Sequence, residues 1–475
     1  MREGRSGATP GIPFPYTKTG YIRKRVKQAL YPTIRFAAEK QSDFALYLRL
    51  REAFRGGNTH ANRAIAGRII HDVKAYDRAS SYPDVMVNCK FPTGNFFRCR
   101  PDNFDKLWSA AEYALLFEVE LWDVRLKDDT YPVPYLSLDK CRGVLGAALD
   151  NGRILMAEHL TTTVTDIDFD ILSQQYDFTM VVNDLWASRY DYLPKEIRTI
   201  VIDLYHAKTS LKNVAGRESE YAASKEDINS TYGMCVQDPG KPEILFDGSE
   251  YIRQLDRIPE TYQDMISKTP LLYCWGVWIT AWARYRLEEV IRLAGIQMVY
   301  CDTDSVFIQG DIDLTAYNAE RILSSRANGA TATDPAGVEH PMGVFELDKE
   351  CDDFITYGAK KYAYTKDGKL KITIAGVNKA KGAAELSAAG GITALKPGYK
   401  FRLAGGTASW YNDDNYGTYR VDGRTVDITR NIYIEDTEYT LGITDEYREL
   451  IHNPKVIQEL KNRLNNKGVT KNGNE

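Results

Sequence analysis

Cysteine is scarce in this chain and carries no pattern. Seven residues in 475 stand at 89, 99, 141, 235, 274, 301 and 351, an odd number without a CxxC pair. A disulfide framework and a thiolate zinc site are therefore not expected, and a reducing compartment fits. Histidine is scarcer, six residues in no ligand-like cluster. No apolar run approaches the ~20 residues needed to cross a bilayer. The N-terminus carries no signal-peptide apolar core. The reading is a cytoplasmic chain with no membrane partner. Charge of one sign is not in excess either: the net is −4, so any surface for a polyanion must be a local patch. The first 63 residues offer one, with 13 Lys/Arg against 4 Asp/Glu. A solvated basic face is the plain alternative.

What is present is a globular composition, 43% hydrophobic and 27% charged, on a chain long enough for several subdomains. Its organising stretch is Met298–Ile308, where two apolar runs flank the polar tip Asp302-Thr303-Asp304. This predicts a β-hairpin with strands at 297–301 and 305–309. Two carboxylates at a buried tip repel each other unless a cation neutralises them. Mg²⁺ suits such a tip, because it binds through one or two carboxylates plus substrate phosphates. An Asp-rich surface turn has the same letters.

In chain order, residues 1–20 read as a flexible entry. A basic helical pattern follows from Tyr21 to about Phe54, with Val26, Leu30, Ile34 and Phe36 apolar. Gly56-Gly57 permits close backbone approach or positive φ, and equally a plain turn. Ile69–Asp77 reads as a strand, and Tyr82-Pro83 as the start of a helix. Asp77 at that junction is placed to hold a metal beside a phosphate or to cap the helix. Residues 115–200 alternate strands (LLFEVELW, YPVPYLSL) with a helix near 166–176. From Lys195 to about Cys235 the pattern is helical. Lys208 and Lys212 share one helix face, Lys225 and Asn229 share another, and Gly233 marks the stop. Lysines on two helices could grip a triphosphate, although most helical lysines are simply solvated. Residues 236–272 suggest a small β-rich excursion around Pro239-Gly240, Pro242 and Asp247-Gly248. Residues 275–294 read as an amphipathic helix, with Trp278, Trp282, Tyr285 and Ile291 as a packing stripe and Gly295 as its end. Lys360 and Tyr362 fall on one face of a strand. Residues 371–381 give a strand and a basic turn. Strands at 419–426 and 431–439 precede a helix from about Asp445, and its basic end reads as a frayed tail.

Three of these stretches, in this order, resemble the motifs of family B DNA polymerases. DRASSYP (77–83) resembles motif A, KEDINSTYG (225–233) motif B, and YCDTDS (300–305) motif C. GAKKY (358–362) carries the KxY element, and Phe54–Gly57 resembles the YxGG element. WGVWITAWARYR (275–286) and the short spacing of motifs A and B resemble the protein-primed branch of small phages and linear plasmids. The resemblance covers roughly residues 15 to 440. It departs from the family at Ser81, usually Leu, and at Phe54, usually Tyr. Before Phe54 the only acids are Glu3, Glu39, Asp43 and Glu52, so no proofreading exonuclease site is expected here. That domain would be a separate chain, or lost, or the sequence begins after it.

The resemblance implies an α+β right-hand fold with an antiparallel palm sheet, helical fingers and a small thumb. Its parts would be a basic segment (1–55), palm (56–104), a terminal-protein-contacting insertion (105–195), fingers (196–235), a small insertion encircling DNA (236–272), second palm part (273–385), and thumb with tail (386–475). It implies a DNA polymerase with two Mg²⁺ ions, for which Mn²⁺ could substitute. The metal site is assigned to Asp77, Arg78, Asp302 and Asp304, with Asp77 and Asp304 bridging. The triphosphate is assigned to Lys208, Lys212 and Lys225, with Lys225 as proton donor. Asn229 and Tyr232 position the nucleotide, and Tyr82 excludes a 2′-hydroxyl. Gly56, Gly57, Thr303, Lys360 and Tyr362 are assigned to primer and template. Implied partners are primer-template DNA, deoxynucleoside triphosphates, a terminal protein and a separate exonuclease chain. The rival readings are a reverse transcriptase, whose hairpin has adjacent Asp-Asp, a non-catalytic nucleic-acid-binding subunit, and a polymerase that starts without a terminal protein.

Overall fold

The structure is a computed structural model that describes residues 18–30, 43–238, 240, 243–246, 251–254, 258–268, 271–411, 419–421, 424–426 and 431–451. The 298–308 hairpin sits inside a seven-stranded antiparallel sheet. In spatial order its strands are Thr59–Ala61, Met298–Asp302, Ser305–Gln309, Ile70–Arg78, Phe345–Thr356, Lys361–Lys366 and Lys369–Ile374. Both hairpin strands read as unbroken apolar runs because both faces are covered. Val306 and Ile308 join a core with Leu287, Val290 and Ile291. Phe307 points the other way, into a core with Val73, Tyr300, Phe354 and Tyr362. Burial on both faces fixes the register, since a slip of one residue would exchange the two sets. Ser305 therefore pairs with Asp302 on one side and Asp77 on the other, and Asp77 in turn pairs with Glu346.

A second antiparallel sheet is built on the long strands Tyr113–Leu126, Arg153–Thr165 and Tyr176–Tyr192. The predicted strand YPVPYLSL is not one. Its two prolines lack the N–H that a ladder needs, and only Ser137 makes an isolated bridge, to Arg153. The helix Asp166–Gln175, capped by Thr165, leads out of one of these strands.

The helix Tyr273–Ala294 ties the two sheets together. It is buried on nearly every side along its first half rather than amphipathic. Its three tryptophans each donate across to a neighbouring element: Trp275 and Trp282 to the two ends of the strand Lys90–Pro92, at Pro92 O (3.0 Å) and Lys90 O (2.9 Å), and Trp278 to Asp166 Oδ1 at 3.0 Å. Gly295, at φ 51°, ends it in a backbone conformation that glycine adopts without strain.

Several sequence expectations change in detail. Lys18–Leu30 is already helical, so residues 18–20 belong to a helix rather than to the expected entry, and a separate helix spans Phe44–Ala53. Residues 1–17 and 31–42, the latter with Ile34 and Phe36 of the basic helical pattern, lie outside the described residues, as do Pro239, Pro242, Asp247, Gly248 and the tail beyond 451. The 236–272 excursion is a hairpin, Glu243–Phe246 with Tyr251–Gln254, followed by a helix at Ile258–Lys268. Gly233 does not stop its helix, which runs from Glu218 to Cys235. The basic turn expected at the end of 371–381 is the start of helix Lys379–Ala388, where the N–H groups of Ala380 and Lys381 donate to the Asn378 side chain. Residues 419–426 form two short paired strands rather than one.

Candidate active site

Asp77 ends its strand beside the hairpin tip, and Asp304 is in that tip. The tip turns through Thr303, which takes a left-handed φ of 61°, uncommon for a β-branched residue. Two backbone bonds hold it there: Thr303 N–H donates to Asn58 O at 2.7 Å, and Arg78 N–H to Asp304 O at 2.9 Å. Both carboxylates line one cavity of about 400 Å³. Burial, the neighbouring Asp304 and then Asp348 push the Asp77 carboxyl up to about 7. Burial also raises Asp304. Two hard carboxylates in a space wide enough for phosphates fit a small divalent cation. Among the described residues no three His, Cys, Asp or Glu side chains form a closed metal cage.

Facing the carboxylates across the cavity are Lys208, Lys212, Lys225 and Asn229. Lys208 is on the helix Lys195–Thr209, and Lys225 and Asn229 are on Glu218–Cys235. Lys212 is not helical as expected. It lies in the turn beyond, where its N–H donates to Thr209 O at 3.0 Å. Burial, Lys225 and Lys212 lower the Lys208 ammonium to about 8. Three lysines on one cavity, two of them disfavouring the charge of the third, favour a polyanion between them. Lys208 Nζ donates to Ser80 Oγ at 2.8 Å and lies 4.8 Å over the Tyr205 ring. Tyr82 and Tyr232, from two of the sequence motifs, stack in the cavity wall.

Arg78 lines the cavity, but its guanidinium is turned to the buried Asp84 and to Ser81 Oγ at 3.1 Å. A cationic side chain cannot ligate a metal, so only its main-chain carbonyl is suited to that role. Asp302 is not among the lining residues. It accepts from Thr59 Oγ1 at 2.9 Å and from Lys360 Nζ at 2.5 Å. Lys360 is not on a strand face with Tyr362, because the strand starts at Lys361 and Lys360 sits in the turn before it at φ 52°. Tyr362 is 8% exposed and packs its ring 4.8 Å from that of Tyr300.

Gly57 has no positive φ; its value is space. A Cβ there would stand 2.7 Å from the Thr303 side chain, whereas one at Gly56 would meet nothing. The buried Arg284 fixes this loop from behind. It donates to Gly56 O at 2.8 Å and holds Asp168 through three bonds of 2.8–3.0 Å.

Sequence reasoning missed Ser80, Tyr205, Glu346 and His340, all of which line the cavity. Ser80 and Glu346 were in reach, one inside a motif and the other as the register partner of Asp77. His340 gave no signal, because the ribbon that carries it has no motif.

A sheet that presents two carboxylates to a lysine-lined cavity suits a phosphate-bearing ligand held beside a divalent cation, and comparison with known proteins narrows the class. The family of type B DNA polymerases, organellar and viral, matches residues 29–305. The chain belongs to that family. It is 27% identical to the DNA polymerase of Bacillus phage Nf over 268 residues, 55% of this chain and 42% of that protein. It is 23% identical to the DNA polymerase of Bacillus phage phi29 over 283 residues, 59% of this chain and 44% of that protein. The curated relatives are thus matched over less than half their length. The fold is that of phi29 DNA polymerase. Its complex with primer-template DNA is similar over 90% of this chain and 68% of that one, at a TM-score of 0.59 and 16% identity. The complex that also holds incoming nucleotide gives a TM-score of 0.60 at 16% identity.

Proposed function

We propose that the chain is a template-directed DNA polymerase that adds deoxynucleotides to a primer 3′-hydroxyl. The observation that carries this reading is a single cavity shared by Asp77, Asp304 and three lysines, in a member of a DNA polymerase family. Asp77 and Asp304, with the carbonyl of Arg78, would hold two Mg²⁺ ions, and Asp302 would support the tip from outside. Bound metal supplies charge neutralisation at the attacking and leaving oxygens. The remaining work is positioning. Lys208, Lys212 and Lys225 hold the triphosphate, and Lys225 gives a proton to the departing pyrophosphate. Asn229 and Tyr232 orient the nucleotide, and the Tyr82 ring closes the space beneath the sugar. Gly56, Gly57, Thr303, Lys360 and Tyr362 form the primer and template side.

The central sheet is read as the palm, the helices at 195–235 as the fingers, and the segment beyond 386 as the thumb. The likeness to phage polymerases supports replication of a phage or plasmid genome in the host cytoplasm, with a terminal protein meeting the second sheet. Among the described residues no helix is long and apolar enough to cross a membrane. Primer extension on a tailed DNA duplex with Mg²⁺ and four deoxynucleotides, beside Asp304→Ala, tests the reading. Extension lost in the variant supports it. Equal extension by both proteins overturns the metal assignment, and no extension by either favours a binding subunit.

A further inference from the structure

His340 lies outside every motif, yet it lines the nucleotide cavity. It is on the strand Glu339–Pro341, which pairs with Thr331–Thr333 in a small ribbon. Its Nε2 is 3.0 Å from Asp334 Oδ2, and its Nδ1 is 3.2 Å from Lys212 Nζ. The His340 and Asp334 side chains are 13% and 8% exposed. Asp334 is itself fixed, since its Oδ1 accepts from the N–H groups of Ala336 and Val338, each at 2.9 Å. The ribbon is pinned to the lysine helix as well, because Tyr205 OH donates to His340 O at 3.1 Å.

The partners decide where the ring proton sits. A carboxylate only accepts, so Nε2 carries the proton and donates to Asp334. An ammonium only donates, so Nδ1 must offer its lone pair to Lys212. The ring is then neutral and its direction is set from behind. Lys212 needs such a guide, for it lies in a turn beyond its helix, where no regular element fixes its direction.

We infer that Asp334 and His340 form a positioning relay that aims the Lys212 ammonium at the triphosphate of the incoming nucleotide. This rests on the nucleotide-addition reading. The relay acts on nucleotide binding rather than on the metal site, so its loss raises the KM for nucleotide and leaves kcat nearly unchanged.

Asp334→Asn is the decisive variant. The Asn carbonyl still closes the ribbon turn, while its amide donates to Nε2. The proton is forced to Nδ1, where an N–H now faces the Lys212 ammonium. Asp334→Asn and His340→Ala are each expected to raise nucleotide KM about tenfold, the scale of one hydrogen bond to a charged group. In a Lys212→Ala background neither should add to the effect. His340→Gln, which can accept from Lys212, should recover part of the loss. Nitrogen-15 spectra of histidine-labelled protein, with the His340 signal identified by its loss in His340→Gln, should show an unprotonated Nδ1 in the wild type and a protonated one in Asp334→Asn. Unchanged KM in Asp334→Asn, an equal loss in the Lys212→Ala background, or a wild-type ring protonated on Nδ1 overturns the relay alone. A wild type that extends no primer overturns the nucleotide-addition reading itself, and the spectra still report on the relay.

Discussion

The rings of Tyr82 and Tyr232 lie face to face, their centroids 3.9 Å apart and their planes 12° from parallel. One ring follows the strand of Asp77 and the other lies on the helix of Lys225. The stack therefore couples the carboxylate side of the cavity to its lysine side. Tyr232→Phe should keep the stack and near-normal extension. Tyr232→Ala should lose about 1 kcal/mol or more of stacking and packing and raise nucleotide KM. Tyr82→Val should relax selection against ribonucleotides by about tenfold or more. Competing extension with matched ribo- and deoxynucleotides checks this, and unchanged selection would remove Tyr82 from the sugar site.

Asp304→Asn removes one of two facing carboxylates while keeping the size of the side chain. Extension should fall by about a thousandfold or more, with the fold retained by circular dichroism. Chelation of divalent ions should abolish wild-type extension, and Mg²⁺ should restore it. Extension that survives chelation would sink the two-metal assignment.

Gly57 and Gly56 are adjacent and should behave oppositely. Gly57→Ala drives a Cβ into Thr303 at the hairpin tip, so extension should drop at least about tenfold, with primer binding weakened. Gly56→Ala meets open space and should be nearly silent. Equal effects would mean that the tip does not depend on this contact.

Arg284 is 5% exposed and bound to Asp168, which is fully buried. Arg284→Met strands that carboxylate, and unfolding by denaturant should show a loss of about 3–5 kcal/mol. The double variant Arg284→Met with Asp168→Asn should recover part of it. A loss under 1 kcal/mol in the single variant would show that water reaches Asp168.

Burial pushes the carboxyls of Asp166 and Glu288 up to about 7 each. Both are raised above the unfolded value, so the folded state holds these protons more tightly. Their contribution to stability is complete below about pH 4 and is lost as pH rises through 7. Asp166→Asn and Glu288→Gln should flatten stability across that window. A wild-type profile flat from pH 4 to 7 would contradict both shifts.

The hairpin was legible in the sequence because strands buried on both faces must be apolar throughout. Its two acids could therefore belong only to the tip. Lys212 was misplaced by helical spacing, since nothing local marks Thr209 as the last helical residue. Lys360 was misplaced for a similar reason: alternation across 358–364 hides the left-handed turn at Lys360. His340 was invisible because its role depends on Asp334 and Lys212, which only the fold brings near it. Register supplied what periodicity could not, placing Glu346 against Asp77.

The strand of Asp77 finds its neighbour only when the hairpin of Asp304 has been made, far along the chain. A nascent polypeptide therefore emerges with half a site and must wait through the second sheet and the long helix before the other half arrives. Non-local pairing of this kind slows folding, and it leaves the edge of Ile70–Arg78 unpaired in the meantime, a template for the wrong strand. The order of synthesis thus leaves the strand of Asp77 open to misassembly, and yield on expression should depend on how quickly residues beyond 298 follow.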